Sequence, residues 1–171
     1  MNLLYTPHDI AVFLIFSNFT QSDERFVLND IWKNENALIE YKYRQNEVLL
    51  RRHVYTELSK LDGTLNLDEL KILLQGMDVE LSIESETYEQ CIIESYFKVI
   101  KLELKYVYGL KQFKIKLRNL LKDFGYKRRS AKLVKSIKNT LRVLGLKTYS
   151  KKRVLCDIAN INIDDMIMIR L

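Results

Sequence analysis

Chain breakers are scarce in this sequence. Its 171 residues include five glycines and one proline. An all-β sandwich needs a turn about every ten residues, so this scarcity argues against one and for long helices. Cysteine is equally rare. Cys91 and Cys156 cannot supply a disulfide framework or a four-thiolate zinc site. The two histidines, His8 and His53, complete no zinc site without acidic ligands drawn from far along the chain. Long hydrophobic runs are absent too. The run Ile10 to Phe16 has seven residues, whereas a membrane span needs about 20. Met1 to Asp9 lacks the basic leader of a signal peptide. The expectation is a cytoplasmic protein without a membrane partner.

Catalytic signatures are also missing. The sequence has no Gly-rich phosphate loop, nucleophile elbow or metal-binding helix motif. Metal-dependent nuclease chemistry needs clustered carboxylates. The second half offers only Glu103, Asp123, Asp157, Asp164 and Asp165. Neighbours such as Asp164 and Asp165 point to opposite faces of a strand. Asp62 to Glu69 imitates part of a calcium loop, but Leu58 and Lys60 would fall at ligand positions that require oxygen. His53 has Glu57 one turn away and no nucleophile in reach of the spacing, so it reads as a partly exposed helix residue. Cys91 reads as a core residue, and Cys156 as a thiol with nothing to activate it. The chain is expected to be no enzyme and to carry no cofactor.

What the sequence does have is charge, unevenly divided. Residues 1–100 carry 9 Lys/Arg and 17 Asp/Glu, a net of −8. Residues 101–171 carry 19 Lys/Arg and 5 Asp/Glu, a net of +14. Between Lys101 and Arg153 the ratio is 18 to 2. A field of that density attracts a polyanion and releases its counterions on binding. An acidic domain, 1–108, for dimerisation or partner binding, and a basic module, 109–171, for nucleic acid, follow from this division.

Local signals outline the helices. Thr6-Pro7-His8-Asp9 starts a buried helix that runs to about Phe19. Ser22 is the candidate cap of a second, marked by Phe26, Val27, Ile31 and Trp32. After a break at Asn34 to Asn36, a long helix is expected from Ala37 to Leu61, with Leu38, Tyr41, Val48, Tyr55 and Leu58 on its stripe. Asp62-Gly63 reads as a turn, Asn66 and Glu69 as a capping pair for a helix ending at Gly76, and Val79, Leu81 and Ile83 as a short strand. Ser85 opens a long helix to Tyr108. Two basic helices follow, Lys111 to Phe124 and Ser130 to Leu144, joined by Gly125 to Arg129. Ile167, Ile169 and Leu171 alternate as a strand does, with Val154, Leu155 and Ile158 as its expected hairpin partner. Tyr41, Tyr43, Tyr96, Tyr106, Tyr108 and Tyr126 suit half-buried helix packing, with stacking on bases or lining a protein interface as the alternatives.

Helix, tight turn, helix, then hairpin is the order of a winged helix-turn-helix. The second basic helix is the candidate reader. Val134, Ile137, Leu141 and Leu144 form its apolar stripe, leaving Lys132, Lys135, Lys138, Asn139 and Arg142 to face outward. Cations grip phosphates, and Asn or Arg pairs with base edges. Lys127, Arg128 and Arg129 stand at its start, where a helix end and its flanking cations hold phosphate. Lys151, Lys152 and Arg153 fall at a wing tip. Lys111, Lys114, Lys116, Arg118 and Lys122 add charge from the preceding helix.

Leu120-Leu121-Lys122-Asp123-Phe124-Gly125-Tyr126-Lys127-Arg128-Arg129, with Ile137, Leu141 and Leu144-Gly145-Leu146, resembles a small winged-helix-type domain. Such domains recur in bacterial restriction and other defence-associated proteins and in regulators. Where they carry a Pro-Asp-Phe-like step, this chain has Thr148-Tyr149-Ser150-Lys151. The resemblance covers about residues 111–171 and implies nucleic-acid binding. The resulting expectation is a mainly α protein: a helical N-terminal part plus a winged helix-turn-helix-like module with a small β-hairpin. It would bind double-stranded DNA, with RNA as a variant, as a regulator or as the DNA-targeting part of a mobile-element or defence system. The competing expectation is a phage or mobile-element inhibitor or adaptor. Its basic face would bind an acidic protein surface or block a nucleic-acid channel.

Overall fold

The computed structural model describes residues 3–61 and 85–171. The chain is mainly α-helical with one small antiparallel sheet. Helix α1, Pro7–Ser17, begins at a reciprocal cap. The Thr6 hydroxyl accepts the Asp9 N–H at 3.1 Å, and the Asp9 carboxylate accepts the Thr6 N–H at 2.9 Å. Residues Ile10 to Leu14 are all buried, so α1 is enclosed on every side.

Helix α2, Gln21–Asn34, is capped by Thr20 rather than Ser22. The Thr20 hydroxyl accepts the Asp23 N–H, and Ser22 already lies in the first turn. Val27, Leu28 and Ile31 face the core, while Phe26 is exposed.

The helix expected from Ala37 starts ten residues later, as α3, Glu47–Leu61. Two short 3-10 turns, Asn36–Leu38 and Tyr41–Tyr43, precede it. Tertiary partners take the backbone groups that a helix would have used. Ile39 forms a parallel bridge with Tyr5. The Arg44 guanidinium donates to the carbonyls of Ile39 at 2.9 Å and Ala37 at 2.7 Å. The Trp32 indole donates to the Tyr43 carbonyl at 3.2 Å. Leu50, Val54 and Leu61 are the buried residues of α3, and Tyr41 and Val48 are exposed. The turn, capping pair, helix and strand expected between Asp62 and Ile83, and the calcium-loop imitation there, lie outside the described residues.

Helix α4, Ser85–Tyr106, ends two residues before the expected Tyr108. It serves two cores. Val99 and Leu102 join the apolar cluster of α1, α2 and α3. Ile93, Phe97, Ile100 and Leu104 join a second cluster built from Leu117 onward. Each face thus completes a core that the other cannot reach.

The expected helix Lys111–Phe124 is instead a strand and a short helix: β1, Phe113–Lys116, and α5, Leu117–Asp123. Phe113 and Ile115 turn inward, while Lys114 and Lys116 face solvent. Next come α6, Ala131–Leu144, then β2, Lys147–Ser150, and β3, Met166–Arg170. The sheet order is β1-β3-β2, all antiparallel, with Phe113 opposite Ile169 and Thr148 also opposite Ile169. Strand β3 lies between the other two, so Ile167, Met168 and Ile169 are all buried. Its partners are therefore β1 and β2, not Val154 and Leu155. Leu155 bridges Tyr149 of β2, and Ile158 is in the core. Among the described residues, no helix is long and apolar enough to cross a membrane.

Candidate nucleic-acid interface

Helix α6 has well-defined ends. The Ser130 hydroxyl accepts the Leu133 N–H at 3.1 Å. Gly145 stops the helix in the left-handed region, φ 74°, a conformation that glycine adopts without steric cost. Leu133, Ile137, Thr140, Leu141 and Leu144 are buried, and Val134 is only partly so. The opposite face presents exposed Lys132, Lys135, Lys138 and Arg142, with Asn139 half-buried among them. On the core side, the Gln90 amide donates to the Thr140 hydroxyl at 3.3 Å, tying α6 to α4.

The other predicted cations surround this face or support it. Lys127 and Arg128 are exposed in the connector that leads to Ser130, and Lys122 is exposed at the end of α5. Lys151, Lys152 and Arg153 occupy a tight turn beyond β2. That turn is closed by Ser150 N–H to the Val154 carbonyl and Arg153 N–H to the Ser150 carbonyl, both at 2.8 Å. All three side chains are exposed.

Arg129 and Lys138, both predicted contacts, are engaged within the chain. Arg129 turns back and donates to the carbonyls of Ile158 at 2.8 Å and Ile161 at 2.7 Å. It pins the loop that leads to β3. Lys138 donates to the Asp157 carboxylate at 2.6 Å. The ammonium, and the Ala159 N–H at 2.8 Å, hold the Asp157 carboxyl below its usual range. Arg118 likewise forms a two-pronged pair with Asp164, at 2.6 and 2.8 Å.

Two grooves flank the exposed face of α6. One, about 690 Å³, is bordered by Asn139, Arg142, Lys147, Leu155 and Asp157, over a floor that includes Leu141 and Ile158. The other, about 430 Å³, lies between Ser130, Lys135 and Ala159. Lys138 and Asn139 line both. Sequence reasoning missed Lys147. Its signal was weak: a single lysine directly after the apolar Leu146. The exposure of Leu155 was missed as well, because the strand pairing expected for it is made by β2.

Other singled-out residues have structural roles. Cys156 lines the larger groove, and burial pushes its thiol up, away from a reactive thiolate. Cys91 is exposed, not in the core, on the rim of α4. The His53 ring meets the Tyr43 hydroxyl at 2.7 Å, while Glu57 pairs with His8 and Lys60. Tyr43 is buried, Tyr41 stacks on Arg44 at the surface, and Tyr108 is fully exposed. Among the described residues, no three His, Cys, Asp or Glu side chains converge as metal ligands.

No family model, no curated protein and no solved structure matches this chain.

Proposed function

We propose that this chain binds double-stranded DNA, with α6 reading the major groove and the 151–153 turn acting as a wing. One observation carries the reading. Lys138 and Arg142 on the outward face of α6 share a groove with Lys147 of β2 and with Leu155, and the exposed cations Lys151, Lys152 and Arg153 lie in the turn between those two. The order α4-β1-α5-α6-β2-β3, with β3 between β1 and β2, is the order of a winged helix-turn-helix and supports it.

The roles follow from exposure. Lys127 and Arg128 hold phosphate at the start of α6, where the positive end of the helix dipole adds to the attraction. Lys122, Lys132 and the turn cations add backbone contacts. Lys135, Asn139 and Arg142 are the base readers, since Arg and Asn make two-pronged bonds to guanine and adenine edges. Lys138 is partly neutralised by Asp157 and contributes less. Arg129 positions the loop and is no phosphate clamp. The acidic first half, with exposed Phe26, Tyr41 and Val48, would pair with a second copy or another protein. A regulator or a DNA-targeting component has these needs.

Fluorescence anisotropy with mixed-sequence duplex DNA tests the reading, across about 50 to 200 mM salt, where several phosphate contacts change affinity by orders of magnitude. A steep salt slope is expected. Lys127→Glu/Arg128→Glu is expected to weaken binding at least a hundredfold with unchanged thermal stability. Wild-type affinity in that variant would refute the site. No binding at low salt would refute the DNA reading and leave a protein partner. Stronger binding to duplex RNA of the same sequence would favour the RNA variant.

A further inference from the structure

The turn after β2 carries something that charge attraction does not require. Val154 and Leu155, directly after the three cations, are 62% and 65% exposed. Consecutive residues of an extended strand point to opposite faces, so the tip is apolar on both. Leu155 lines the larger groove opposite Asn139 and Arg142. Whatever lies on α6 therefore also meets Leu155.

The tip is also stiff. Two backbone hydrogen bonds of 2.8 Å close the turn. The Cys156 N–H donates to the Thr148 carbonyl at 2.9 Å, and the Thr148 hydroxyl returns a bond to the Cys156 carbonyl at 2.7 Å. Arg153 adopts φ 62°, a left-handed conformation that glycine or asparagine fills at less cost in a three-residue hairpin loop. The chain places a cation there despite the strain. No carboxylate lies between Lys147 and Cys156.

From these features we infer that Val154 and Leu155 form a wedge that enters the minor groove and opens a base step, bending the duplex. This inference rests on the DNA-binding reading. The three cations hold the phosphates on either side. The aliphatic pair, which gains nothing in water, is buried against sugars and a partly unstacked base pair. Apolar wedges of this kind kink DNA by about 20–90° toward the major groove. A bend of that sense would wrap the duplex around the α6 face and bring phosphates to Lys127 and Lys122.

Fluorescence energy transfer between dyes at the two ends of a roughly 30 bp duplex reads the bend directly. With the full chain bound, transfer is expected to rise. Val154→Ser/Leu155→Ser is expected to restore the transfer of the free duplex and to weaken binding about tenfold. Both side chains are mostly exposed, so its melting temperature should match wild type. Arg153→Gly relieves the backbone strain and is expected to keep or raise the melting temperature while weakening binding severalfold. A minor-groove-filling drug on an A·T-rich duplex should compete with wild type but not with the serine double variant. If wild type binds without changing the transfer, or if the serine variant bends DNA as wild type does, the wedge is refuted while the DNA-binding reading stands. If wild type binds no duplex at all, both fail.

Discussion

The two halves of this molecule differ in what some of their lysines meet. In the first, Lys33, Lys42 and Lys60 face solvent, but two lysines of α4 reach buried carboxylates. Lys98 of α4 is buried against Asp9 of α1 at 3.2 Å, and Lys105 pairs with the buried Glu35. The Tyr106 hydroxyl donates to Asp30 at 2.9 Å, joining α4 to α2 by the same device. In the second half, Lys127, Lys135, Lys151 and Lys152 stand exposed. A buried cation must keep its partner or leave an uncompensated charge, so it fixes one arrangement of helices. An exposed cation costs little to fold and retains its attraction for a ligand. Residue counts would rank the two halves only by net charge. Their placement separates charges that hold the fold from charges that face outward.

Five experiments sharpen or break this contrast, and they are ordered by expected effect. Lys98→Met strands the Asp9 carboxylate and is expected to cost about 3–5 kcal/mol in chemical denaturation. Asp9→Asn/Lys98→Met should recover most of that loss, because it removes both charges together. If the single variant is as stable as wild type, the inward pair holds nothing.

Glu103 gives the second test. Burial pushes its carboxyl up to about 7, from an ordinary value of 4.5. The folded chain therefore holds a proton that the unfolded chain releases near pH 4.5. The stability linked to that proton is complete below about 4.5, declines as pH rises, and is gone above about 7. Each tenfold difference in proton affinity between the folded and unfolded chain is worth about 1.4 kcal/mol. Glu103→Gln should therefore raise stability at pH 8 by up to about 3 kcal/mol. At pH 4 it should change little. Thermal melts at the two pH values decide it.

Arg129→Ala removes two charged bonds to loop carbonyls. It should cost about 1–3 kcal/mol and speed amide exchange across residues 157–165. A variant that keeps its exchange protection but loses DNA affinity would return Arg129 to the outward class. Asp157→Asn releases Lys138 and deletes a carboxylate beside the reading face. It should tighten DNA binding severalfold and steepen the salt slope by about one phosphate, or about 0.9 in logarithmic terms. Asp164→Asn should leave the melting temperature nearly unchanged, since its pair with Arg118 is largely exposed to solvent.

The sequence was most legible where structure is set locally. The Thr6 cap of α1 and the stop of α6 at Gly145 depend on residues within one turn of the helix end, and both are legible in the sequence, whereas the return bond from Asp9 and the Ser130 cap emerge only in the structure. It was least legible where distant partners decide. Phe113 to Lys116 runs directly into a helical stretch, and four residues are too few to establish a period of two. Strand β3, some fifty residues later, provides the hydrogen bonds that make it a strand. Ala37 to Asn46 has helix-compatible residues, yet Tyr5 and Arg44 claim its backbone. The in-chain partners of part of the cation cluster were illegible for the same reason. Arg129 and Lys138 look no different from their neighbours until the loop bearing Asp157, Ile158 and Ile161 folds back over them. The outward stripe of α6 was legible because its apolar spacing alone determines which side faces the core.

Helix α4 also has a consequence for how the chain is made. The first cluster needs Val99 and Leu102, so it cannot close until about residue 102 has left the ribosome. At about 5–20 residues per second, the face of α1 that α4 covers stays open for several seconds after it emerges. A stop codon placed before α4 would leave that face of the first cluster permanently uncovered.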